Sequence, residues 1–297
     1  MKIGTKKFSN IQIARFLIQI MFFIFLPGMY INAFSGIRQI YTGIIKHTFS
    51  FGQYYPEIIE AVAIIPVTLL MGRFFCGWMC AFGTMGDIIY HISSKIFNIS
   101  FRINEKADRI LKSFKYLLLA FLVLVVWSFG LNLSGANPWD AFGVLAVIGK
   151  LPDVSYAFTE FTVGSIILAM IIAGSFFIER FFCRYFCPLG AVFSIISRLK
   201  LVRISKTREK CGACRLCTKS CAMGIPLYKY DRIDSGDCIN CFKCITACPR
   251  KNVSESIAGS DVRPLVVSAM AVAVMTGTYY AGTLAADIAG MDKGTSI

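Results

Sequence analysis

Charge is scarce in this sequence. Only 16% of the 297 residues are Asp, Glu, Lys or Arg, while 56% are hydrophobic, a balance that excludes an ordinary soluble domain and points to an integral membrane protein. Acidic residues are the scarcer sign, 17 against 31 Lys and Arg, for a net charge of +14. No aromatic-basic groove or nucleic-acid motif accompanies that excess, so basic residues retained at one membrane face explain it and a nucleic-acid partner does not. Histidine is nearly missing, with two copies, His47 and His91. Charge placement puts these two on opposite sides of the membrane, which excludes a bis-histidine haem within the chain, and a lone loop histidine is ordinarily a plain polar side chain. A nucleophile–base constellation, a phosphate loop and a dinucleotide fingerprint are also missing. Chemistry must therefore come from cofactors, with the protein supplying spacing and insulation.

Cysteine is abundant, with twelve copies. Eight lie in two runs, Cys211, Cys214, Cys217, Cys221 and Cys238, Cys241, Cys244, Cys248, each spaced C-x2-C-x2-C-x3-C. In the bacterial ferredoxin pattern the first three thiolates hold one [4Fe–4S] cluster and the fourth crosses to the other. The spacing thus assigns Cys211, Cys214, Cys217 and Cys248 to cluster 1, and Cys221, Cys238, Cys241 and Cys244 to cluster 2. The second run ends in Cys248-Pro249, as the pattern usually does. The first ends in Cys221-Ala222, which loosens a turn but removes no ligand. Zinc takes its cysteines as two pairs rather than as triplets with a distant fourth, and disulfides are rare on a reducing side of a membrane.

Apolar stretches long enough for a bilayer core, about 20 residues, predict about five transmembrane helices. Ile11 to Ile31 is too long and lacks the cleavage site of a signal peptide; it reads as a retained helix with a bend at Pro27-Gly28. Asn32 to Pro56 reads as a loop, and Glu57 to Phe75 as a span kinked at Pro66. Thr84 to Phe97 is amphipathic, and Arg102, Lys106, Arg109, Lys112 and Lys115 lead into a span at Tyr116 to Leu131. A loop at Asn132 to Glu160, a span at Phe161 to Ile178, a basic linker at Arg198 to Lys210 and a last span at Leu265 to Ala285 follow. Lys2, Lys6 and Lys7 and the basic residues around the clusters face the cytoplasm by the positive-inside rule; the loop that holds Trp139 and Lys150 and the tail to Ile297 face outward. The predicted fold is a membrane all-α region of duplicated helical hairpins (1–198), a small α+β bacterial ferredoxin-like two-cluster module (199–260), and a fifth transmembrane helix with an outer tail (261–297), all in the cytoplasmic membrane with the clusters on its cytoplasmic side.

The remaining cysteines lie in an internal repeat. Arg73-Phe-Phe-Cys-Gly-Trp-Met-Cys-Ala-Phe-Gly83 and Arg180-Phe-Phe-Cys-Arg-Tyr-Phe-Cys-Pro-Leu-Gly190 share six of eleven positions, which argues for duplication into parallel halves. C-x3-C puts Cys76 with Cys80, and Cys183 with Cys187, on one helical face each. Together they suit a four-thiolate metal or cluster site; buried inert thiols and redox-active disulfides are the other readings. Arg73 and Arg180, at the ends of spans, read first as snorkelling toward lipid headgroups and second as cations that offset thiolate charge.

The duplicated R-F-F-C-x-x-x-C segments, the membrane spans and the two-cluster module resemble the membrane polyferredoxin family of NapH- and NosR-type proteins, over roughly residues 10 to 250. The resemblance implies membrane electron transfer between a cytoplasmic donor or quinol pool and a redox partner outside, by an electron-transfer subunit rather than a stand-alone enzyme. Implied partners are membrane lipid, a ferredoxin or flavoprotein, a flavin-bearing outer subunit, and quinone, for which no residue marks a site. Ala81 stands where the family usually has proline, no flavin-binding domain is present, and the last span is outside the NapH pattern. A membrane redox sensor or maturation factor is the alternative. The last helix is expected to dock a second subunit through Gly277, Ala281 and Gly282.

Overall fold

The computed structural model describes residues 9–47, 51–97, 101, 103–131, 135–145, 161–207, 211, 214–257 and 259–288. Lys2, Lys6, Lys7, Arg102, Lys150 and the tail to Ile297 lie outside them.

Helix α1 (Asn10–Phe25) stops before Pro27, and α2 (Met29–Lys46) starts beyond Gly28. The apolar stretch from Ile11 to Ile31 is therefore two helices, because proline lacks the N–H that would continue the first. Residues 32–46, expected as loop, are helical. Their buried positions are the small residues Ala33, Gly36 and Gly43, which carry little apolar signal yet allow close approach to the neighbouring α3 (Phe51–Met71). Helix α3 continues through Pro66.

Two similar units follow. After α3 come α4 (Phe74–Trp78) and α5 (Ala81–Ile96); after α6 (Glu105–Phe121, extended by a π-helical turn Leu122–Trp127), α7 (Pro138–Leu145) and α8 (Thr162–Phe177) come α9 (Phe181–Tyr185) and α10 (Pro188–Ile196). In each unit a five-residue helix carries the first cysteine, and the second cysteine caps the next helix in extended conformation. The loop expected between residues 132 and 160 contains α7, which turns inward: Trp139 meets Phe34, Phe182 and Phe82 at ring separations of 5.9, 6.2 and 6.5 Å.

Glu105–Trp127 and Pro264–Ala285 are long and apolar enough to cross a membrane, and Asn10–Phe25, Ala61–Met71, Thr162–Phe177 and Pro188–Leu199 are shorter apolar helices. Only 17% and 22% of the most apolar windows of the two long helices are buried. Most of those windows therefore stay uncovered by the chain itself, as on a helix that faces lipid. The final helix, α13 (Pro264–Ile288), packs along α3 and buries Val267, Ala271 and Met275. A Cβ at Gly282 would stand 2.8 Å from Ile59 Cγ2. Gly282 thus serves contact within the chain, against the expectation that it meets a second subunit.

The stretch expected as a basic linker supplies a strand. β1 (Val202–Lys206), β2 (Arg232–Ile233), β3 (Val253–Ile257) and β4 (Ser260–Val262) form an antiparallel sheet in the order β2-β1-β3-β4. Val202, Ile204 and Lys206 turn to the buried face and Arg203 and Ser205 away from it, the period of two that a strand imposes. Two one-turn helices, α11 (Leu216–Lys219) and α12 (Lys243–Thr246), follow the second cysteine of each run.

A candidate iron–sulfur site seated on a buried ion lock

The two cysteine runs fold alike. The residue after each second cysteine, Arg215 (φ 51°) and Phe242 (φ 56°), is left-handed, which turns the chain so that α11 and α12 present Cys217 and Cys244. The fourth cysteine of each run accepts from the backbone N–H four residues on, Ile225 to Cys221 Sγ and Asn252 to Cys248 Sγ, both at 3.4 Å. Cys221, Cys238, Cys241 and Cys244 line one small cavity together with Ile204, Met223, Ile225, Leu227, Ile233 and Phe242. Cys211, Cys214, Cys217 and Cys248 line another, with Lys206, Arg215, Tyr228 and Arg250. Each cavity thus combines three cysteines of one run with the fourth of the other. Among the described residues no three Cys, His, Asp or Glu side chains are drawn in around a single ion. Burial pushes the Cys221 thiol up to about 12 and also raises Cys238 and Cys244; bound iron reverses that preference, since a coordinated thiol is held deprotonated.

Cys76, Cys80, Cys183 and Cys187 are all buried, and the fold gathers them where the two units meet. The arginines cross between units: Arg180 donates through Nη1 to the Cys76 carbonyl, and Arg73 through Nη2 to the Cys183 carbonyl at 3.3 Å. Each lies against the glycine that ends the other unit's motif. A Cβ at Gly190 would stand 2.6 Å from Arg73 Nη2, and one at Gly83 would collide with Arg180 Nη1. Arg73 and Arg180 are 0% and 1% exposed, so they do not snorkel. Carboxylates outcompete lipid headgroups for them. Arg180 binds Asp87 at 2.8 Å (Nε) and 2.6 Å (Nη2), and Arg15 and Gln19 bind the same carboxylate. Arg73 reaches Asp237 at 3.4 Å, which also pairs with the fully buried Lys115.

The family profile described as a 4Fe-4S binding domain matches residues 55–100 and again residues 161–208. The protein MJ0750 of Methanocaldococcus jannaschii is 31% identical over 84% of this chain and 98% of its own length, and MJ0749 of the same organism is 30% identical over 84% and 88%. The ferredoxin-type protein NapH of Haemophilus influenzae is 26% identical over 64% of each chain. No solved structure matches. The chain belongs to the polyferredoxin-type electron transport family. It is a membrane iron–sulfur protein with an electron-transfer role.

In this polyferredoxin the profile matches contain Cys76, Cys80, Cys183 and Cys187 and stop before Cys211. The aspartates of the lock escaped the sequence reading. A single acid inside an apolar amphipathic stretch, as at Asp87, and one directly before a ligand-pattern cysteine, as at Asp237, are the signals that could have found them. Burial would raise Asp237, but Lys115 and Arg73 outweigh it and hold the carboxyl down to about 2. Lys115, the last of the basic residues that lead into the next span, is fully buried beside Asp237.

Glu255 was also missed. It is 0% exposed, lies opposite Ile204 in the sheet, and neither carboxyl oxygen has a hydrogen-bond partner among the described residues. Burial pushes it from the ordinary 4.5 up to about 8. Between those values the unfolded chain releases a proton that the folded chain keeps, so stability is full at low pH and falls as pH rises toward 8. Glu255→Gln is therefore expected to stabilise the protein by ~3 kcal/mol at pH 7 and by under ~1 kcal/mol at pH 5. Thermal unfolding followed by near-UV circular dichroism at both pH values checks this; an equal shift at the two would contradict it.

Proposed function

We propose that this polyferredoxin is a multi-pass subunit of the cytoplasmic membrane that relays single electrons between a cytoplasmic donor or quinol and a redox partner in or beyond the membrane. Cys211, Cys214, Cys217 and Cys248 hold one [4Fe–4S] cluster, and Cys221, Cys238, Cys241 and Cys244 hold the second, within a module of residues 199–260. Cys76, Cys80, Cys183 and Cys187 hold a further iron–sulfur centre between the duplicated units of residues 1–198, and residues 261–297 add a fifth transmembrane segment.

The observation that carries this reading is the join between module and units. Trp78, between Cys76 and Cys80, donates Nε1–H to the Asn240 carbonyl at 2.9 Å, and Asn240 donates on to the Met71 carbonyl. The Trp78 side chain thus holds backbone between Cys238 and Cys241, and the Ile239 carbonyl lies where a Cβ on Gly77, between Cys76 and Cys80, would stand. The clusters supply one-electron carriage; the chain keeps the stations adjacent, excludes water with Phe74, Phe75, Trp78 and Phe242, all fully buried, and balances thiolate charge with Arg73 and Arg180.

Iron analysis of anaerobically purified protein is expected to give about eight irons from the module and two or four more from the membrane cysteines. In liposomes, reduction by quinol or by reduced ferredoxin is expected to sustain turnover. Zinc in place of iron would overturn the cofactor reading, and reduction too slow for turnover would favour the sensor alternative.

A further inference from the structure

The two four-cysteine sites of the module differ in what surrounds them. The site of Cys221, Cys238, Cys241 and Cys244 is pressed against the membrane units on two sides. A Cβ at Gly77 would collide with the Ile239 carbonyl, and one at Gly224, three residues past Cys221, would collide with the Arg184 guanidinium. Lys112 also donates to the Gly224 carbonyl at 3.3 Å. Among the described residues no charged side chain lines that cavity. The site of Cys211, Cys214, Cys217 and Cys248 is open instead: Cys211 and Cys214 are exposed. Arg215, Leu216, Pro249 and Arg250 line it and are exposed, and Lys219 and Lys251, close to them in the chain, are exposed too. Neither residues 214–220 nor residues 246–252 contain an Asp or Glu.

We propose that this face is the docking surface for a soluble electron carrier with an acidic surface, and that the Cys221, Cys238, Cys241 and Cys244 site is the inner station beside the membrane units. The proposal rests on the reading above that both sets hold clusters. The reduced carrier gives up one electron at the exposed site and leaves oxidised by one electron; no bond forms and no proton need move. Opposite charges speed that encounter and salt screens them. The exposed Leu216 and Pro249 give the contact a dry centre within a charged rim. A basic patch also suits an anionic lipid surface, but the close backbone approaches at Gly77 and Gly224 lie on the other site, while this one meets α6 where Tyr228 and Lys229 donate to the Glu105 carboxylate.

The test uses the full chain with both module clusters loaded and a reduced acidic ferredoxin as probe. Stopped-flow reduction of wild type is expected to slow steeply with salt, and the pair Lys219→Glu, Lys251→Glu to lower the low-salt rate by about tenfold or more. Dithionite reduction and the electron paramagnetic resonance spectrum should be unchanged in the pair. An unchanged rate with ferredoxin would overturn the docking surface while leaving the relay intact. Loss of binding to anionic vesicles without loss of ferredoxin rate would assign the patch to lipid and overturn it as well. A wild-type protein that shows no cluster signal on reduction would sink the underlying cofactor reading, and the docking proposal with it.

Discussion

Serine at Cys221 is expected to remove the cluster whose other three ligands lie downstream. Cys221 belongs by sequence to the first run, yet it lines the cavity of Cys238, Cys241 and Cys244, so its loss leaves only three of the four ligands that a four-iron cluster needs. Iron in the module should fall from about eight to about four per chain, and the reduced-state resonance of the membrane-side cluster should vanish. Cys248→Ser is expected to do the reverse, since Cys248 lines the cavity of Cys211, Cys214 and Cys217. Iron counts paired with resonance spectra of the two variants decide it. A Cys221→Ser protein that keeps the downstream centre and loses the upstream one would show that the runs bind independently.

Asp87→Asn is expected to cost about 3–5 kcal/mol, the range for breaking a buried pair and leaving its cations uncompensated. Two arginines, Arg15 and Arg180, with side chains 4% and 0% exposed, share this carboxylate. That loss is a large part of a typical folding free energy of ~5–15 kcal/mol, and it falls where the two units meet, so Cys76, Cys80, Cys183 and Cys187 should also be uncovered. Alkylation of these four thiols in detergent-solubilised protein, together with the thermal midpoint, reads both effects. Asp234→Asn is the contrast. Asp234 pairs with Arg203 and Arg232 but is 59% exposed, and its loss should cost only about 0–1 kcal/mol. Equal effects at the two positions would mean that Asp87 is no lock.

The repeat of R-F-F-C-x-x-x-C was legible because its identities are adjacent in the chain, and the cysteine runs because spacing alone encodes their pattern. The partners of those residues were not. Arg73 looked like a lipid-facing arginine because its acceptors, the Cys183 carbonyl and Asp237, are 110 and 164 residues away. Helix α2 was read as loop because its packing face is made of Ala33, Gly36 and Gly43, which a search for apolar periodicity passes over. β1 was read as a linker because Arg203 and Lys206 mask the alternation of Val202 and Ile204. Gly282 carried the small-residue signal correctly, but the helix that accepts it, α3, lies more than 200 residues earlier.

Sequence by itself determined the class of chemistry: twelve cysteines in two kinds of repeat, almost no histidine, and too little charge for a soluble chain. These are local properties, since spacing of a few residues and a run of apolar side chains mean the same thing wherever the segment lies. Tertiary structure alone decided which module site lies against the membrane units and which is open, and that Arg73 and Arg180 are buried across the pseudo-symmetric join. Those are long-range facts. A buried charge is stable only beside its partner, and only the folded chain brings Asp87 to Arg180 or Asn240 to Trp78.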